Sequence, residues 1–227
     1  MYKFLNCKTI SIFILTMLAS LYSNLVKSSD YDYYVFSRSW VPGFCKFNTQ
    51  GLCQNGTIGN KFTIHGLWPT WNNGSWPQYC KQETLDHKRM SNILNDLDSH
   101  WSDDGNIDWK LWDHEWQKHG TCAIGNLFIN NSNDYFIMGL WLEMRLDANY
   151  KLFTGNIIPS LNISYPKSVL VNLLGASLVC KKKGGQDIIT EIRNHISLDF
   201  QKNQPLGDDM SCGKTVYLIP YTIKDII

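Results

Sequence analysis

The densest cluster of chemically active side chains in this 227-residue chain lies in one short segment, residues 114–122. Within six positions it holds two imidazoles, a carboxylate and an ammonium group, all of which can move protons or hold charge near neutral pH. On an α-helix with about 100° per residue, these side chains form two adjacent columns on one face. We interpret them as candidate catalytic residues: His114, Glu115, Lys118 and His119.

A second segment, residues 62–70, adds His65 close to Trp68. Two histidines from different segments suit cleavage of an RNA phosphodiester without a metal. The 2'-hydroxyl of RNA needs a base to remove its proton, and the departing 5'-oxygen needs an acid on the opposite side of the phosphorus. A nearby ammonium such as that of Lys118 would stabilise the extra negative charge of the transition state. The Trp68 ring offers a face on which an unpaired base could stack.

Other chemistries fit the sequence less well. The His–Glu pair resembles the start of the zinc motif H-E-x-x-H, but His119 follows His114 by five residues, which on an α-helix separates them by about 140°. A G-x-S-x-G nucleophile motif and a glycine-rich phosphate loop are absent from the sequence. We therefore expect no cofactor and no metal. The remaining histidines are interpreted as packed or solvated side chains: His87, His100 and His195.

The elements that must position these side chains follow from hydrophobic patterning. Aromatic and β-branched residues that alternate with polar ones predict a strand over 31–40. A second strand over 61–65 is predicted to end at Gly66, with His65 at the strand end. Apolar residues at helical spacing predict four helices. These are residues 85–97, residues 109–118, a segment capped by Ser132 or Asn133 that runs through Leu146, and residues 168–174.

The last third of the chain returns to strand-like patterns, over residues 187–193, 195–200 and 215–220. Strands first, helices in the middle and strands last are typical of an α+β domain. No linker, repeat or low-complexity segment interrupts residues 29–227, which predicts a single domain.

The amino terminus predicts a secretory signal peptide over residues 1–28. Lys3 and Lys8 precede an apolar run from Ile10 to Leu21, and acidic residues are absent until Asp30. The run is shorter than the roughly 20 apolar residues of a membrane-spanning helix. Cleavage after Ser28 removes three lysines and leaves 18 basic against 20 acidic side chains, a formal charge of −2. Binding of nucleic acid must therefore rest on a local cluster rather than on bulk charge.

Six cysteines follow the predicted signal, and an even number in a secreted domain points to three disulfides. Their spacing alone allows fifteen pairings. Four sequons of the form Asn-x-Ser/Thr predict N-glycosylation. The cysteines are Cys45, Cys53, Cys80, Cys122, Cys180 and Cys212, and the sequons begin at Asn55, Asn73, Asn130 and Asn162.

The segments FTIHGLWPT, residues 62–70, and HEWQKHGTC, residues 114–122, resemble the two active-site segments of the ribonuclease T2 family of secreted acid endoribonucleases. The resemblance extends to residues 34–45, to Trp76-Pro77 with Cys80, to the helix with Tyr135-Phe136 and to the region of Cys180 and Cys212. It implies an α+β fold with a central antiparallel sheet, flanked by helices and stapled by disulfides. It also implies cleavage of single-stranded RNA, and not of DNA, through a 2',3'-cyclic phosphate without a metal.

The resemblance implies a role for each residue of the two segments. His65 matches the general acid and His119 the general base, although the residues alone leave open which is which. Glu115 and Lys118 match the transition-state stabilisers, and His114 matches a phosphate or substrate contact. For substrate binding, Trp68 matches a base-stacking residue and Trp76 an aromatic against the base. The implied disulfides are Cys45–Cys53, Cys80–Cys122 and Cys180–Cys212.

Two positions depart from the family's pattern and leave base preference open. Ser39, a candidate substrate-binding residue, stands where many members have glutamine, and Thr70 stands where some have aspartate. We expect a monomeric endoribonuclease, secreted or lysosomal, with no membrane contact after signal removal. One alternative is a recognition or defence protein in which RNA cleavage serves signalling, which the slightly acidic charge does not support. Another is an inactive storage or binding protein, which would predict loss of one of the two histidines.

Overall fold

A computed structural model of the protein describes residues 30–47, 59–102, 109–205 and 211–221. The predicted signal peptide over residues 1–28, the sequon at Asn55 and the cysteine Cys53 lie outside these ranges.

The centre of the fold is an antiparallel β-sheet. Its strands are β1 (Tyr33–Trp40), β2 (Phe62–Thr70), β4 (Ser177–Lys183), β5 (Gln186–Ile196) and the short β6 (Asn203–Pro205), while β3 (Tyr165–Pro166) and β7 (Thr215–Val216) form a separate small ladder. The order across the central sheet is β2–β1–β5–β4, and β6 pairs with β5. Strands β1 and β5 are therefore inner strands, and β2 lies beside β1.

Helices pack against this sheet. They are α1 (Val41–Cys45), α2 (Leu94–His100), α3 (Trp109–Glu115), α4 (Thr121–Ala123), α5 (Ser132–Leu146), α6 (Ala148–Thr154) and α7 (Lys167–Leu174), with a 3₁₀ turn at His87–Met90 and a π-helical turn at Trp116–Gly120 that joins α3 to α4. Within the described ranges, none of these helices combines the length and the apolar character needed to cross a membrane.

Side-chain alternation along the strands separates a core face from an open face of the sheet. On β1, Tyr34 and Phe36 are buried in the main hydrophobic cluster together with Tyr135 and Phe136 of α5. Their neighbours on β1 point to the opposite face, which carries the cleft described below. A second cluster lies between the sheet and helices α6 and α7, and it contains Cys180.

The predicted α+β class and the antiparallel sheet are confirmed, but several element boundaries are wrong. Strand β2 does not end at Gly66, because it stays paired with β1 as far as Thr70. The helix predicted over 85–97 is divided into the 3₁₀ turn and α2. Helix α5 is capped by Asn131, not by Ser132 or Asn133: the Asn131 side chain accepts a hydrogen bond from the Asp134 N–H at 3.1 Å.

The carboxyl-terminal strands also differ from the prediction. Strand β5 runs unbroken through Asn194, where two strands were expected, because the buried Asn194 amide donates to the Gly175 carbonyl at 2.6 Å and accepts from Arg38 at 2.5 Å. A polar residue can therefore continue the strand inside the core. Strand β4 was not predicted, and the strand expected over 215–220 covers only Thr215–Val216.

Two disulfides implied by the family resemblance are present, Cys80–Cys122 and Cys180–Cys212. Cys45 is also disulfide-bonded, and its implied partner Cys53 lies outside the described residues. The three described sequon asparagines are all exposed, as an acceptor site requires: Asn73, Asn130 and Asn162.

Candidate active site

His65 occupies a β-bulge in β2. Ser37 of β1 pairs with Gly66, but the next residue, Arg38, pairs with Ile64, so that His65 is the extra residue of the strand. A bulge interrupts the alternation of side chains and re-aims the residue at which it occurs. The imidazole of His65 lines the cleft on the open face of the sheet.

Core aromatic residues hold the backbone at this bulge and two residues after it. The indole of Trp101 donates a hydrogen bond to the His65 carbonyl at 3.0 Å. The hydroxyl of Tyr135 donates to the Leu67 carbonyl at 2.9 Å. Because these carbonyls are satisfied by side chains of the core, the irregular backbone is stabilised without regular strand pairing.

The second group of candidate residues lies on α3 and on the π-helical turn that follows it. The Thr121 N–H donates to the Trp116 carbonyl, five residues earlier, as a π-helix requires. This turn contains Lys118 and His119. The angle of about 140° expected between His114 and His119 on an α-helix is therefore wrong, because a π turn brings residues five apart towards the same side.

A disulfide attaches the loop after β2 to α4, the short helix that directly follows this turn. Cys80 is bonded to Cys122, and the Tyr79 N–H donates to the Lys118 carbonyl at 3.0 Å. The same loop carries Trp76, which is 51% exposed and lines the cleft. The loop thereby forms one wall of the cleft and fixes the main chain at Lys118.

The cleft has a volume of about 430 Å³ and brings the predicted catalytic residues together. Ser39 is not part of its lining: this residue is 2% exposed, which leaves it no surface for direct substrate contact. The described residues that line the cleft are Tyr33, Val35, His65, Trp68, Thr70, Gly74, Trp76, His114, Glu115, Lys118, His119 and Arg193.

The Glu115 side chain lines the cleft and contacts β2. Its carboxylate is 1% exposed and accepts a hydrogen bond from the Trp68 indole, Nε1 to Oε2, at 2.8 Å. Its other oxygen lies 4.0 Å from Nε2 of His65. A Cβ at position 66 would lie 2.1 Å from Glu115 Oε2, so Gly66 is required for this close approach.

His119 lies at the inner end of the cleft and is 5% exposed. Burial, followed by the positive charge of Lys118 and of the other two cleft histidines, lowers its pKa from 6.5 to about 3. Its Nδ1 has no hydrogen-bond partner among the described residues. The same causes act on His114: burial first, then the charges of Lys118 and His65, lower its pKa. The imidazole of His119 is therefore kept neutral in mildly acidic solution.

Sequence reasoning missed two residues of the site, Glu191 and Arg193 on β5. Oε1 of Glu191 lies 2.5 Å from Nδ1 of His65, and the Arg193 guanidinium donates to Oε2 of Glu191 from Nε at 2.9 Å and from Nη2 at 2.5 Å. The Arg193 guanidinium also lies 5.5 Å from the centre of the Trp68 ring. A glutamate and an arginine two apart in a predicted strand share a face, and this was the signal available in the sequence.

In the described residues, no group of three or more His, Cys, Asp or Glu side chains has an arrangement that could hold a metal ion. The donor set of the cleft is instead a mixture of imidazoles with an ammonium and a guanidinium group. The two cations favour an anionic ligand in this cleft.

Comparisons with known proteins identify a family that the chain resembles in sequence. The family model described as Ribonuclease T2 family matches residues 31–209. The chain is 36% identical over 138 residues to "Ribonuclease 3" of Arabidopsis thaliana, which covers 58% of this chain and 60% of that protein. It is 32% identical over 145 residues to a "Ribonuclease-like storage protein" of Panax ginseng, with 62% of this chain and 59% of that protein covered. The chain thus spans about three fifths of the length of these curated relatives.

The fold matches a solved structure as well. A crystal structure of RNase NT in complex with 5'-AMP superposes with a TM-score of 0.74 over 85% of this chain and 100% of that chain, at 21% sequence identity. At that identity the match concerns the fold alone. The family model matches most of the length of this chain, and the chain therefore belongs to the ribonuclease T2 family.

Proposed function

We propose that the protein is an endoribonuclease that cleaves single-stranded RNA by transphosphorylation, leaving a 2',3'-cyclic phosphate and a free 5'-hydroxyl. The observation that carries the proposal is the convergence of His65 and His119, from a strand and from a helical turn, in one cleft with Lys118. In-line displacement at phosphorus needs an acid and a base on opposite sides of the scissile phosphate, and separate elements can supply them.

In the proposed reaction, His119 removes the proton from the 2'-hydroxyl as the 2'-oxygen forms its bond to phosphorus. The bond from phosphorus to the 5'-oxygen breaks, and His65 gives its proton to that oxygen. The burial that lowers the pKa of His119 supports the role of base, because the neutral imidazole can accept a proton even in acid. The negative charge of a bound phosphate opposes the repulsion from Lys118 and strengthens His119 as a base when substrate is present.

The charged groups of the cleft support stabilisation of the transition state. Lys118 lines the cleft and can pair with a non-bridging phosphate oxygen. Glu115 is fixed by the Trp68 indole and lies close to His65, where it can share a proton in the network. His114, exposed at the cleft edge, is proposed as a phosphate or substrate contact.

Two tryptophans supply surfaces for unpaired bases. Trp68 and Trp76 both line the cleft, and base stacking on an aromatic side chain contributes about 1–3 kcal/mol per base. Bases in a duplex are already stacked on one another, so the proposed substrate is single-stranded.

The experiment that tests this function offers the purified protein a single-stranded RNA and the matching 2'-deoxy strand in EDTA. Mass spectrometry of the products should give 2',3'-cyclic phosphate ends from the RNA, no cleavage of the deoxy strand and a rate unchanged by EDTA. His100→Ala, a change at an exposed histidine outside the cleft, should retain the activity. Cleavage of the deoxy strand at a comparable rate would refute a mechanism in which the 2'-hydroxyl is the nucleophile.

The protein is also proposed to enter the secretory pathway, to an extracellular or lysosomal destination. The amino-terminal pattern predicts a signal peptide, and the Cys80–Cys122 and Cys180–Cys212 disulfides form in oxidising compartments. Mass spectrometry of the mature protein should give an amino terminus at Ser29. An intact Met1 on the secreted protein would contradict the proposed cleavage.

A storage role is the second candidate, suggested by the name of the ginseng relative. A storage protein has no need of a formed catalytic cleft, whereas here the predicted acid, base and cation all line one cavity. RNA cleavage that persists after repeated purification and disappears in His119→Ala would favour the enzyme. Equal residual activity in the wild-type protein and in His119→Ala would favour the storage role.

A further inference from the structure

We propose that Glu191 is a positioning residue for His65: its carboxylate binds Nδ1–H of the imidazole and so turns Nε2 towards the scissile phosphate. This inference rests on the proposed function, because it assigns a partner to the histidine proposed as general acid. Glu191 itself lies outside the cleft lining and acts only through His65.

The register of the sheet brings these two side chains together. Ser39 of β1 pairs with Thr63 on one side and with Glu191 on the other, so Glu191 is level with the start of the His65 bulge. His65 is two residues after Thr63 and therefore lies on the same face of the sheet as Ser39 and Glu191. On this face, Oε1 of Glu191 meets Nδ1 of His65 at 2.5 Å.

The charge state of Glu191 decides the direction of this hydrogen bond. Burial opposes ionisation of the carboxyl group, but the hydrogen bond and charge of His65, followed by the charge of Arg193, outweigh it and lower the Glu191 pKa to about 2. An ionised carboxylate can only accept, so Nδ1 must carry the proton. The nitrogen left for chemistry is Nε2, which faces Glu115 at 4.0 Å across the cleft.

Arg193 fixes the carboxylate from the other side. Its two hydrogen bonds to Oε2 leave Oε1 directed at His65. Both residues lie on β5, an inner strand of the sheet, and a charge-assisted pair on a rigid strand holds its geometry better than a pair on a loop. A continuous chain of hydrogen bonds therefore runs from Arg193 through Glu191 to the imidazole of His65.

Several charged groups face His65 from the helical wall of the cleft as well, and they bear on its protonation. Glu115 favours the imidazolium, whereas protonated His114 and His119 and the Lys118 ammonium oppose it. Glu191 is the only described carboxylate that contacts Nδ1 of His65. Its removal is therefore expected to change both the tautomer of His65 and the pH range in which this residue holds its proton.

The test is Glu191→Gln, which keeps the size of the side chain but removes its charge. We expect kcat on single-stranded RNA to fall at least about tenfold with KM changed less than about threefold, since a misoriented acid loses part of the 10²–10⁴-fold that such a group supplies. The alkaline limb of the kcat profile should move to lower pH, because the imidazolium loses a stabilising charge. Glu83→Gln, the same change at an exposed glutamate outside the cleft, is the matched control and should leave both unchanged.

A double-mutant cycle separates positioning from a structural role. In a His65→Ala background, Glu191→Gln should cost no further activity, because the residue through which it acts is gone. Equal losses in both backgrounds would overturn the proposal and assign Glu191 to the stability of the sheet.

Nuclear magnetic resonance of the wild-type protein tests the contact even if Glu191→Gln fails to fold. Neutral His65 should carry its proton on Nδ1, and a proton on Nε2 instead would overturn the proposal. Because this readout needs no substrate, it is independent of RNA cleavage. A wild-type protein that carries the Nδ1 proton but does not cleave RNA would refute the proposed function and leave the contact standing.

Discussion

The Trp68 indole and the Glu115 carboxylate are joined by a hydrogen bond of 2.8 Å from Nε1 to Oε2. This bond connects β2, which carries His65, to α3 and the π-helical turn, which carry the other candidate catalytic groups. A residue proposed to stack a base thus also positions a residue proposed to stabilise the transition state. If both proposed roles hold, substrate binding and catalysis are coupled through the Trp68 side chain.

Replacement of Trp68 can separate these two roles. Trp68→Phe keeps an aromatic face but removes the donor to a carboxylate that is 1% exposed, which should cost about 1.5–3 kcal/mol of unfolding free energy and lower kcat. Trp68→Ala also removes the ring and should raise KM for RNA further, in keeping with about 1–3 kcal/mol per stacked base. Steady-state kinetics of both variants checks this. A normal kcat in Trp68→Phe would show that the hydrogen bond is not needed.

Gly66→Ala tests the close approach of the strand to Glu115. The added methyl group would lie 2.1 Å from Glu115 Oε2 and 2.2 Å from Trp68 Nε1, so both side chains must shift. We expect kcat to fall about tenfold or more, since displacement of catalytic groups by even 1 Å is costly. The control is Gly43→Ala, a change at a position outside the cleft, where the added methyl group would lie 1.9 Å from the Ile189 carbonyl oxygen. It should lower stability but not the kcat of the folded protein.

Burial of His119 makes stability depend on pH. Its folded pKa of about 3 lies below the unfolded value near 6.5, so between these values the unfolded chain binds more protons. The contribution of His119 to the unfolding free energy is fully present above about pH 6.5 and is lost as the pH falls towards 3. From pH 7 to pH 4 this residue should reduce the unfolding free energy by on the order of 3 kcal/mol.

Urea unfolding of the wild-type protein and of His119→Asn at pH 4 and pH 7 measures this contribution. The difference between the two pH values should be clearly smaller in the variant. The lowered pKa of Glu191, about 2, acts at more acidic pH and contributes little in this interval. The same pH dependence in both proteins would mean that His119 is not buried as a neutral imidazole.

The two described disulfides should differ in their effect on catalysis. Cys80–Cys122 and Cys180–Cys212 close segments with separations of 42 and 32 residues, so removal of either should cost roughly 4 kcal/mol by loop entropy. Only the first is joined to the loop that carries Trp76 and holds Lys118. Replacing both cysteines of either disulfide with serine should therefore lower the unfolding free energy by a similar amount. KM for RNA should rise only when Cys80 and Cys122 are replaced. Equal KM values in both variants would contradict this account of the loop.

Much of the site follows from the sequence because its residues are close together along the chain. His114, Glu115, Lys118 and His119 lie in one segment, and any helical turn keeps them near one another. The π geometry could not be predicted, because it depends on packing. A Cβ at Gly120 would lie 2.4 Å from the buried Trp116 ring, and the i to i+5 hydrogen bond closes the turn around this contact.

The partners of His65 could not be predicted for a different reason. Glu191 is 126 residues away along the chain, and the register that makes them neighbours passes through β1. Alternation alone places Glu191 and Arg193 on one face of a strand, but it does not say which strand lies opposite. The bulge at His65 is likewise a property of pairing between two strands, and the glycine that follows it suggested a strand end instead.

The most direct test of the central claim separates acid from base by the leaving group. A ribonucleoside 3'-(4-nitrophenyl phosphate) carries the same 2'-hydroxyl nucleophile as RNA, but its leaving group departs as an anion and needs no proton. We predict that His65→Ala loses about 10²–10⁴-fold on RNA yet cleaves this ester at close to the wild-type rate, while His119→Ala is impaired on both substrates. Equal losses on both substrates for His65→Ala would contradict its role as the general acid.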